Sequence, residues 1–344
     1  MNILVTGHLG YIGSVLTKIL EDQGYSVTGL DVGFYKENTV LDISHSVKNL
    51  NFDLRSITEE IIDGFDAIIH LASLSHDPLG EFNPGLTKEI NCNSTINLAK
   101  IAKKVGVKRF IYASTQSIYG ISNTSQELDE YDSIKNPISA YAINKWISEQ
   151  EIMKLSDDNF IVCAFRPSTV FGPSPRFRTD IVYNNLMSCA LTTGSIEIYS
   201  DGTPCRPVVH IDDVCSAFIS GLVAPKNLIN SQAFNVGIHN GNYTVKEIAK
   251  AAQSRVPESK LIFTNKYGKD ERTYKVSFNR ILTVLKDYYK PKWNIENGGD
   301  HLLKFLKDIN ITEEIFRGRQ TVRLKQLKHL TKTSIINKEL KFNV

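Results

Sequence analysis

A tyrosine and a lysine four residues apart, Tyr141 and Lys145, are the pair in this sequence best suited to proton transfer. They fall in a predicted helix over 140–155, and residues at i and i+4 share one helix face. A nearby ammonium lowers a phenol pKa from its usual value of about 10, which makes the phenolate available as a base. The spacing alone also occurs in ordinary surface pairs. Ser114 and Thr115, however, end the preceding predicted strand and add a hydroxyl at the same sheet edge, where ligands bind.

The start of the chain predicts a site for a dinucleotide diphosphate. An apolar run from Ile3 leads into glycines spaced three apart and then into a helical pattern. Glycines permit a tight turn and let backbone N–H groups and the helix N-terminus approach phosphates. An ordinary strand-to-helix turn is the alternative, because the spacing is Gly-x-x-Gly-x-x-Gly rather than Gly-x-Gly-x-x-Gly. The predicted cofactor contacts of this turn are Gly7, Gly10, Tyr11, Ile12 and Gly13.

Two acidic residues follow predicted strands and favour NAD as the cofactor. Asp31 closes the second strand, where a carboxylate accepts the hydroxyls of the adenosine ribose and repels a 2′-phosphate. Asp53 ends the third strand, from which we expect it, with Leu54, to reach the adenine. The alternative for Asp31 is a solvated turn residue.

Predicted strands and helices alternate through the first half of the chain, which is typical of a parallel sheet with right-handed crossovers. The predicted strands are 3–6, 27–31, 50–53, 67–72, 109–114 and 160–165, and the longer helices are 56–63, 90–104 and 140–155. We therefore predict an α/β fold: a Rossmann-type doubly wound parallel sheet with a smaller, interleaved C-terminal substrate lobe.

The pattern loosens after Arg166, where prolines become frequent and the elements shorten. We predict a cofactor domain over 1–166 with a return strand within 207–240, and a substrate lobe over 167–316. Residues 317–344 form a basic extension with a balance of 8 − 1 = +7 charges, against +3 for the whole chain. Its apolar residues recur at helical spacing, which favours a docked amphipathic helix over a nucleic-acid or membrane contact.

The composition is that of an ordinary globular protein, with 42% hydrophobic and 22% charged residues. No apolar run approaches the ~18–20 residues of a membrane helix. The first strand begins almost at the initiator Met, so we expect no signal peptide. The five cysteines show no C-x-x-C spacing, so we expect buried free thiols in the cytoplasm and no metal site.

The chain resembles the extended short-chain dehydrogenase/reductases that act on nucleotide sugars, the group of 4-epimerases, 4,6-dehydratases and ketoreductases. The resemblance runs in order from Ile3 to about residue 307. Beyond the glycine turn and the Tyr141–Lys145 pair, it rests on motifs in the order His70-Leu71-Ala72, Asn91, Tyr112-Ala113-Ser114-Thr115, Tyr119-Gly120, Arg166-Pro167, Val170-Phe171-Gly172-Pro173, Asp201-Gly202, Arg206, His210-Ile211-Asp212-Asp213-Val214 and Asn235-Val236-Gly237.

The resemblance implies roles for these positions. Tyr141 is implied as the general base or acid on the sugar hydroxyl, and Lys145 as the residue that holds the nicotinamide ribose and tunes Tyr141. Thr115 is implied to bind the reacting oxygen. Leu71, Ala72 and Asn91 are implied beside the nicotinamide, and Thr169, Asn185, Arg206 and Arg272 on the nucleotide-sugar side. A homodimer through the helices 90–104 and 140–155 is implied as well.

Two departures from the family pattern narrow the reaction. The 4,6-dehydratases carry Asp-Glu directly after the threonine, where this chain has Gln116-Ser117, so elimination of water is not expected. The 4-epimerases usually carry Asn where this chain has Thr169, whose hydroxyl also donates a hydrogen bond. We predict an NAD-dependent epimerase acting at C4 of a nucleotide-linked sugar through a transient 4-keto sugar. An NAD(P)-dependent C4 dehydrogenase or ketoreductase is the alternative, and a non-catalytic sensor on the same scaffold is disfavoured because Tyr141 and Lys145 are both present.

Overall fold

A computed structural model of the chain describes residues 1–41, 47–122, 126–264 and 273–343. The strands in the described residues are β1 (Asn2–Thr6), β2 (Ser26–Asp31), β3 (Lys48–Asn51), β4 (Ala67–His70), β5 (Arg109–Ala113), β6 (Glu127–Leu128), β7 (Ile161–Pro167), β8 (Thr169–Phe171), β9 (Ser195–Ile198), β10 (Cys205–His210), β11 (Gln232–Val236), β12 (Asn242–Thr244), β13 (Lys260–Phe263) and β14 (Lys275–Val276).

The helices in the same residues are α1 (Tyr11–Asp22), α2 (Glu59–Ile62), α3 (Asp77–Gly80), α4 (Pro84–Lys88), α5 (Ser94–Lys104), α6 (Ala140–Met153), α7 (Val182–Thr193), α8 (Ile211–Val223), α9 (Lys226–Ile229), α10 (Val245–Arg255), α11 (Asn279–Val284), α12 (Ile295–Asp308), α13 (Glu313–Arg317) and α14 (Arg323–Lys332). Among these described residues, no helix combines the length and the apolar character that crossing a membrane requires.

A parallel sheet of seven strands, counted over the described residues, forms the centre of the fold in the order β11-β7-β5-β4-β1-β2-β3. This confirms the predicted α/β doubly wound fold. Strand β11 pairs in parallel with β7, so the chain returns to the sheet within the range 207–240. Smaller sheets β12-β10-β8, β13-β9 and β14-β6 stand beside it.

Successive residues of the central strands face opposite hydrophobic cores, as the pleat of a strand requires. Ile69 and Ile111 belong to the larger cluster, on the side of α1 and α8. Ile68 and Phe110 belong to the second cluster, which contains α5 residues such as Leu98. The apolar sequence runs are therefore buried on both faces. All five cysteines are buried free thiols.

Two predicted helices have different forms in the structure. The helix predicted over 56–63 is a 3₁₀ turn, Leu54–Ser56, followed by the single turn of α2. The helix predicted over 90–104 begins as a π-helical turn, Glu89–Asn93, before α5. Neither deviation has a signal in the apolar periodicity.

The C-terminal extension packs against the cofactor half of the molecule. Its helix α14 is the predicted amphipathic helix, with Leu327 and Leu330 buried. These side chains form one cluster with Phe34 and with Leu74 and Leu79, which lie more than two hundred residues earlier. The basic residues of the extension therefore lie on a folded element.

Candidate active site

The candidate active site is a cleft at the carboxyl ends of the central strands, where open parallel sheets bind ligands. Its cavity volume is about 470 Å³. It is lined by Gly7 after β1, Asp31 at the end of β2, Leu71 after β4, Thr115 after β5 and Pro167 at the end of β7. Residues from five neighbouring strands therefore meet at one site.

The glycine turn between β1 and α1 leaves no room for side chains. Gly7 has a φ of 73°, and a Cβ atom on it would lie 2.7 Å from the nitrogen of Ala72. A Cβ on Gly13 would lie 2.3 Å from the carbonyl oxygen of Gly7. Gly10, Tyr11 and Ile12 line the cleft with them. The main chain and the N-terminus of α1 therefore face the cleft, an arrangement that fits a diphosphate.

The Asp31 carboxylate lies in the cleft and is fixed by the main chain. It accepts hydrogen bonds from the N–H groups of Gly33 at 2.8 Å and Leu9 at 3.2 Å. Burial raises the pKa of Asp31, and these bonds act in the opposite direction. Each carboxylate oxygen retains a lone pair, so Asp31 still fits the predicted ribose contact.

Asp53 and Leu54 also line the cleft, but the Asp53 carboxylate is already engaged. Arg55 binds it through Nε at 3.0 Å and through Nη2 at 2.6 Å. The same carboxylate accepts the backbone N–H of Arg55 at 2.9 Å and caps the 3₁₀ turn. If Asp53 contacts the adenine, its carboxylate does so while it is also bound by Arg55.

Thr115, Tyr141 and Lys145 lie together in the cleft. Thr115 follows β5 and is hydrogen-bonded to Tyr141, which lies in the first turn of α6. One turn later, the buried Nζ of Lys145 donates a hydrogen bond to the carbonyl oxygen of Ala113 at 2.7 Å. Ser139 caps α6 by accepting the N–H of Ala142 at 3.2 Å, which fixes the turn that carries Tyr141.

The prediction that Lys145 lowers the pKa of Tyr141 is wrong for the protein alone. Burial raises the pKa of Tyr141 to about 12, although the hydrogen bond with Thr115 acts to lower it. Burial also lowers the pKa of Lys145 to about 7. Since the Lys145 amine is directed at Ala113, desolvation outweighs its effect on the phenol.

Asn91 lies behind the cleft wall, and its implied contact with the nicotinamide stays a prediction. It is buried in the π-helical turn, accepts the N–H of Leu74 at 2.8 Å and donates to the carbonyl oxygen of Leu74 at 3.1 Å. Leu71 and Ala72 do line the cleft. Asn91 therefore fixes the main chain that follows β4.

The motif residues Arg166, Tyr119 and Asn235 form a buried network under the site. Arg166 donates to Tyr119 at 3.0 Å and pairs with Glu149 of α6 through Nε at 3.1 Å. Tyr119 donates to Asn235 at 2.9 Å. Within the described part of the chain, none of these residues is a lining residue of the cleft. The network instead joins α6 to β7 and β11.

The predicted substrate residues separate into three groups. Thr169 and Arg206 line the cleft. Asn185 lies outside the lining, where its amide donates to the carbonyl oxygen of Thr179 at 2.8 Å, and its implied substrate contact stays a prediction. Arg272 lies outside the described residues.

A chain of charged and polar contacts through Arg178, Asp180 and His76 also lines the cleft. Arg178 Nε pairs with Asp180 at 2.8 Å, and Asp180 accepts from His76 at 3.3 Å. Although burial raises the pKa of Asp180, Arg178 and His76 hold it well below its usual range. Arg323 of α14 lines the same cleft. No local pattern connects these residues, since they meet only through the fold.

A group of possible metal ligands, His210, Asp212 and His301, occurs in the described residues outside the cleft. His210 Nδ1 accepts the N–H of Asp212 at 3.2 Å, which places its proton on Nε2. This nitrogen faces His301 Nδ1 at 3.2 Å. The two imidazoles therefore satisfy each other by a hydrogen bond without a metal.

Comparison with known proteins decides the family. Residues 3–237 match the NAD dependent epimerase/dehydratase family. The chain belongs to this family. As a member of the epimerase/dehydratase family it is an enzyme whose cofactor is NAD, which confirms both predictions, and the glycine cradle and Asp31 fit that cofactor.

Individual members of the family differ in their named reactions. The chain is 30% identical to UDP-glucuronic acid decarboxylase 1 of Xenopus tropicalis over 68% of its length, and it spans only 56% of that protein. It is 28% identical to protein CapI of Staphylococcus aureus, over 87% of this chain and 96% of CapI. The chain also matches the structure of a UDP-glucuronic acid 4-epimerase from Bacillus cereus in complex with UDP-glucuronic acid and NAD. The match covers 90% of this chain and 100% of the epimerase chain, with a TM-score of 0.74. At 22% identity this last likeness shows a shared fold.

Proposed function

We propose that the chain is an NAD-dependent nucleotide-sugar epimerase acting at C4 of the sugar. The observation that carries the proposal is the convergence of Thr115, Tyr141 and Lys145 beside a dinucleotide cradle in one cleft. A hydroxyl, a phenol and an amine at one place suit removal of a proton from a secondary alcohol.

The cofactor is assigned to the half of the cleft that starts at the glycine turn. The main chain from Gly7 to Gly13 holds the diphosphate, Asp31 accepts the ribose hydroxyls, and Leu71 and Ala72 form the wall on the nicotinamide side. NAD, when bound, supplies the hydride acceptor and donor and a positive charge on the nicotinamide ring.

Tyr141 exchanges the proton of the sugar hydroxyl at C4 through its phenol oxygen. Thr115 donates to the phenol oxygen, which favours the phenolate, or to the reacting sugar oxygen, which favours loss of the sugar's proton. Lys145 lies one helix turn after Tyr141, and its amine is held by the carbonyl oxygen of Ala113. We assign to this amine the contact with the nicotinamide ribose that the family resemblance implies. The sugar that has lost this proton and the hydride of C4 is a 4-keto sugar. If it turns in the cleft and takes the hydride and the proton back at its other face, the C4 configuration is inverted.

A nucleoside diphosphate sugar suits the positive charge of the cleft. Arg178 and Arg206 line it, and guanidinium groups bind phosphate oxygens in pairs. The decarboxylase and the solved epimerase named above both carry UDP-glucuronic acid in their names. UDP-glucuronic acid and UDP-glucose are therefore the substrates to test first.

Decarboxylation is the second candidate, because a UDP-glucuronic acid decarboxylase is among the relatives. Oxidation at C4 of a uronic acid gives a β-keto acid, which loses CO₂ unless the site holds its carboxylate. No carboxylate directly follows Thr115, where the sequence is Gln116-Ser117. That position therefore offers no acid or base for a step beyond C4, which favours epimerisation.

The implied homodimer is part of the proposal. Ile143 and Ile147 are exposed by 39% and 37% on one face of α6. Two such apolar side chains one turn apart suit a helix-to-helix contact between copies.

Product analysis tests the proposed reaction. The purified protein is incubated with NAD and each UDP-sugar, and the sugar products are identified by NMR and mass spectrometry while NADH absorbance is followed. A C4 epimer of unchanged mass without accumulating NADH is expected. Loss of CO₂ would instead identify a decarboxylase, and NADH equal to the sugar consumed would identify a dehydrogenase.

A further inference from the structure

The first residue of helix α14 reaches into the active-site cleft from the C-terminal extension. Arg323 is 2% exposed and lines the cleft, although it lies far beyond residue 237, where the family match ends. The rest of α14 is anchored beside it, because Gln326 donates to the carbonyl oxygen of Phe34 at 3.3 Å and Leu327 is buried. Arg323 is therefore a fixed part of the cleft wall.

Two contacts position the guanidinium of Arg323, and a third holds its backbone. Nη2 donates to the carbonyl oxygen of Arg176 at 2.7 Å, and the group stacks 4.6 Å from the ring centroid of Tyr35. The backbone N–H of Arg323 donates to Asp180 at 3.3 Å. Nη1 is buried and has no partner among the described residues.

Two other arginines beside it also carry buried donors without partners in the described part of the chain, Arg176 through Nε and Arg178 through Nη2. All three arginine residues are more than nine-tenths buried. The carboxylates that act on them are Asp31 and Asp180. Three cations against two anions leave an excess positive charge in a place shielded from water, and such charge calls for an anionic partner.

We propose that Arg323 is a ligand-binding residue whose Nη1, together with Nη2 of Arg178, donates to an oxyanion of the bound ligand. This rests on the proposed function for the identity of the ligands, since both NAD and a nucleotide sugar carry phosphate oxygens and a uronic acid carries a carboxylate as well. Burial and the nearby Arg178 lower the pKa of Arg323 to about 10, so at neutral pH it remains charged. The C-terminal extension thus contributes a side chain to the site.

Calorimetric binding to Arg323→Gln tests this, with Lys328→Gln as the matched control because Lys328 is an exposed cation on the same helix. The probes are NAD alone, UDP alone, and UDP-glucose against UDP-glucuronic acid in the presence of NAD. We expect Arg323→Gln to weaken at least one of them by about tenfold or more, and Lys328→Gln to weaken none.

The affected probe identifies the oxyanion. Weaker NAD binding assigns Arg323 to the cofactor diphosphate, and weaker UDP binding assigns it to the nucleotide diphosphate. A loss confined to UDP-glucuronic acid assigns it to the sugar carboxylate. Arg323→Lys, which keeps the charge and loses the planar fork, tests the same point if the glutamine variant does not fold. Unchanged binding of every probe in a folded variant overturns the proposal, whatever reaction the enzyme performs, because none of these measurements needs turnover.

Discussion

Lys145 donates a hydrogen bond to the carbonyl oxygen of Ala113 at 2.7 Å. This bond joins the second turn of α6 to the end of β5, two residues before Thr115. Because α6 also carries Tyr141, the bond fixes the distance between the phenol and the threonine hydroxyl.

Lys145 is expected to destabilise the NAD-free protein. Its folded pKa of about 7 lies below its ordinary value, so the cost of the buried ammonium is fully present below pH 7. The cost fades as the pH rises toward the unfolded pKa of about 10.4, because the folded protein then holds the neutral amine. Lys145→Met is therefore expected to be more stable than the native protein by about 1–3 kcal/mol near pH 6.5, after loss of the bond to Ala113.

Urea denaturation at roughly pH 6.5 and 9.5 measures this difference, which should shrink at the higher pH. Lys154→Met is the control, since Lys154 caps the end of the same helix and its side chain is 67% exposed. A lower stability of Lys145→Met at both pH values would contradict the buried-amine account.

Gly13→Ala is expected to abolish or strongly weaken NAD binding. The added Cβ would lie 2.3 Å from the carbonyl oxygen of Gly7 and 2.6 Å from Cα of His8, so the turn must shift and its N–H groups lose their common direction. Calorimetry should show a loss of affinity of about tenfold or more. Gly85→Ala is the matched control, because its nearest neighbour is 3.5 Å away and the site lies on the exposed helix α4. Equal NAD affinity of the two variants would contradict the assignment of the diphosphate to this turn.

Thr115→Val is expected to lower turnover by a similar factor at pH 7 and at pH 9. The hydrogen bond from Thr115 lowers the pKa of Tyr141 against the larger effect of burial, so its loss raises that pKa further. Since both pH values lie well below that pKa, the phenolate fraction falls by the same factor at each of them. Thr115→Ser restores the hydroxyl and should restore turnover. A loss that serine does not relieve would point to a packing role instead, and unchanged turnover of Thr115→Val would contradict the role of this hydrogen bond.

The sequence predicted the parts of the site that follow from local spacing. Tyr141 and Lys145 share a helix face, and the glycine turn and Asp31 follow consecutive strands, so the carboxyl-edge rule for parallel sheets brings them together. The burial that raises the pKa of Tyr141 and turns Lys145 toward Ala113 was not predictable, because it depends on which groups surround α6.

Contacts between distant segments lay beyond the sequence patterns. Arg323 reaches Tyr35, Arg176 and Asp180 only because the extension packs across the cofactor half. The basic composition of the extension did not predict where it packs. The sequence around Asn91 does not show whether its amide contacts a ligand or the main chain of Leu74, because a buried amide serves either purpose.

The fate of the hydrogen at C4 tests the central claim most directly. A UDP-sugar carrying deuterium at C4 is incubated with the NAD-loaded enzyme and with Tyr141→Phe, which loses only the phenol oxygen. The native enzyme should give the C4 epimer with deuterium retained at C4, because the hydride leaves and returns without exchange, and Tyr141→Phe should bind NAD normally and give almost none. An epimer that has lost the deuterium, or full activity of Tyr141→Phe, would contradict epimerisation by way of a 4-keto sugar with Tyr141 as the base.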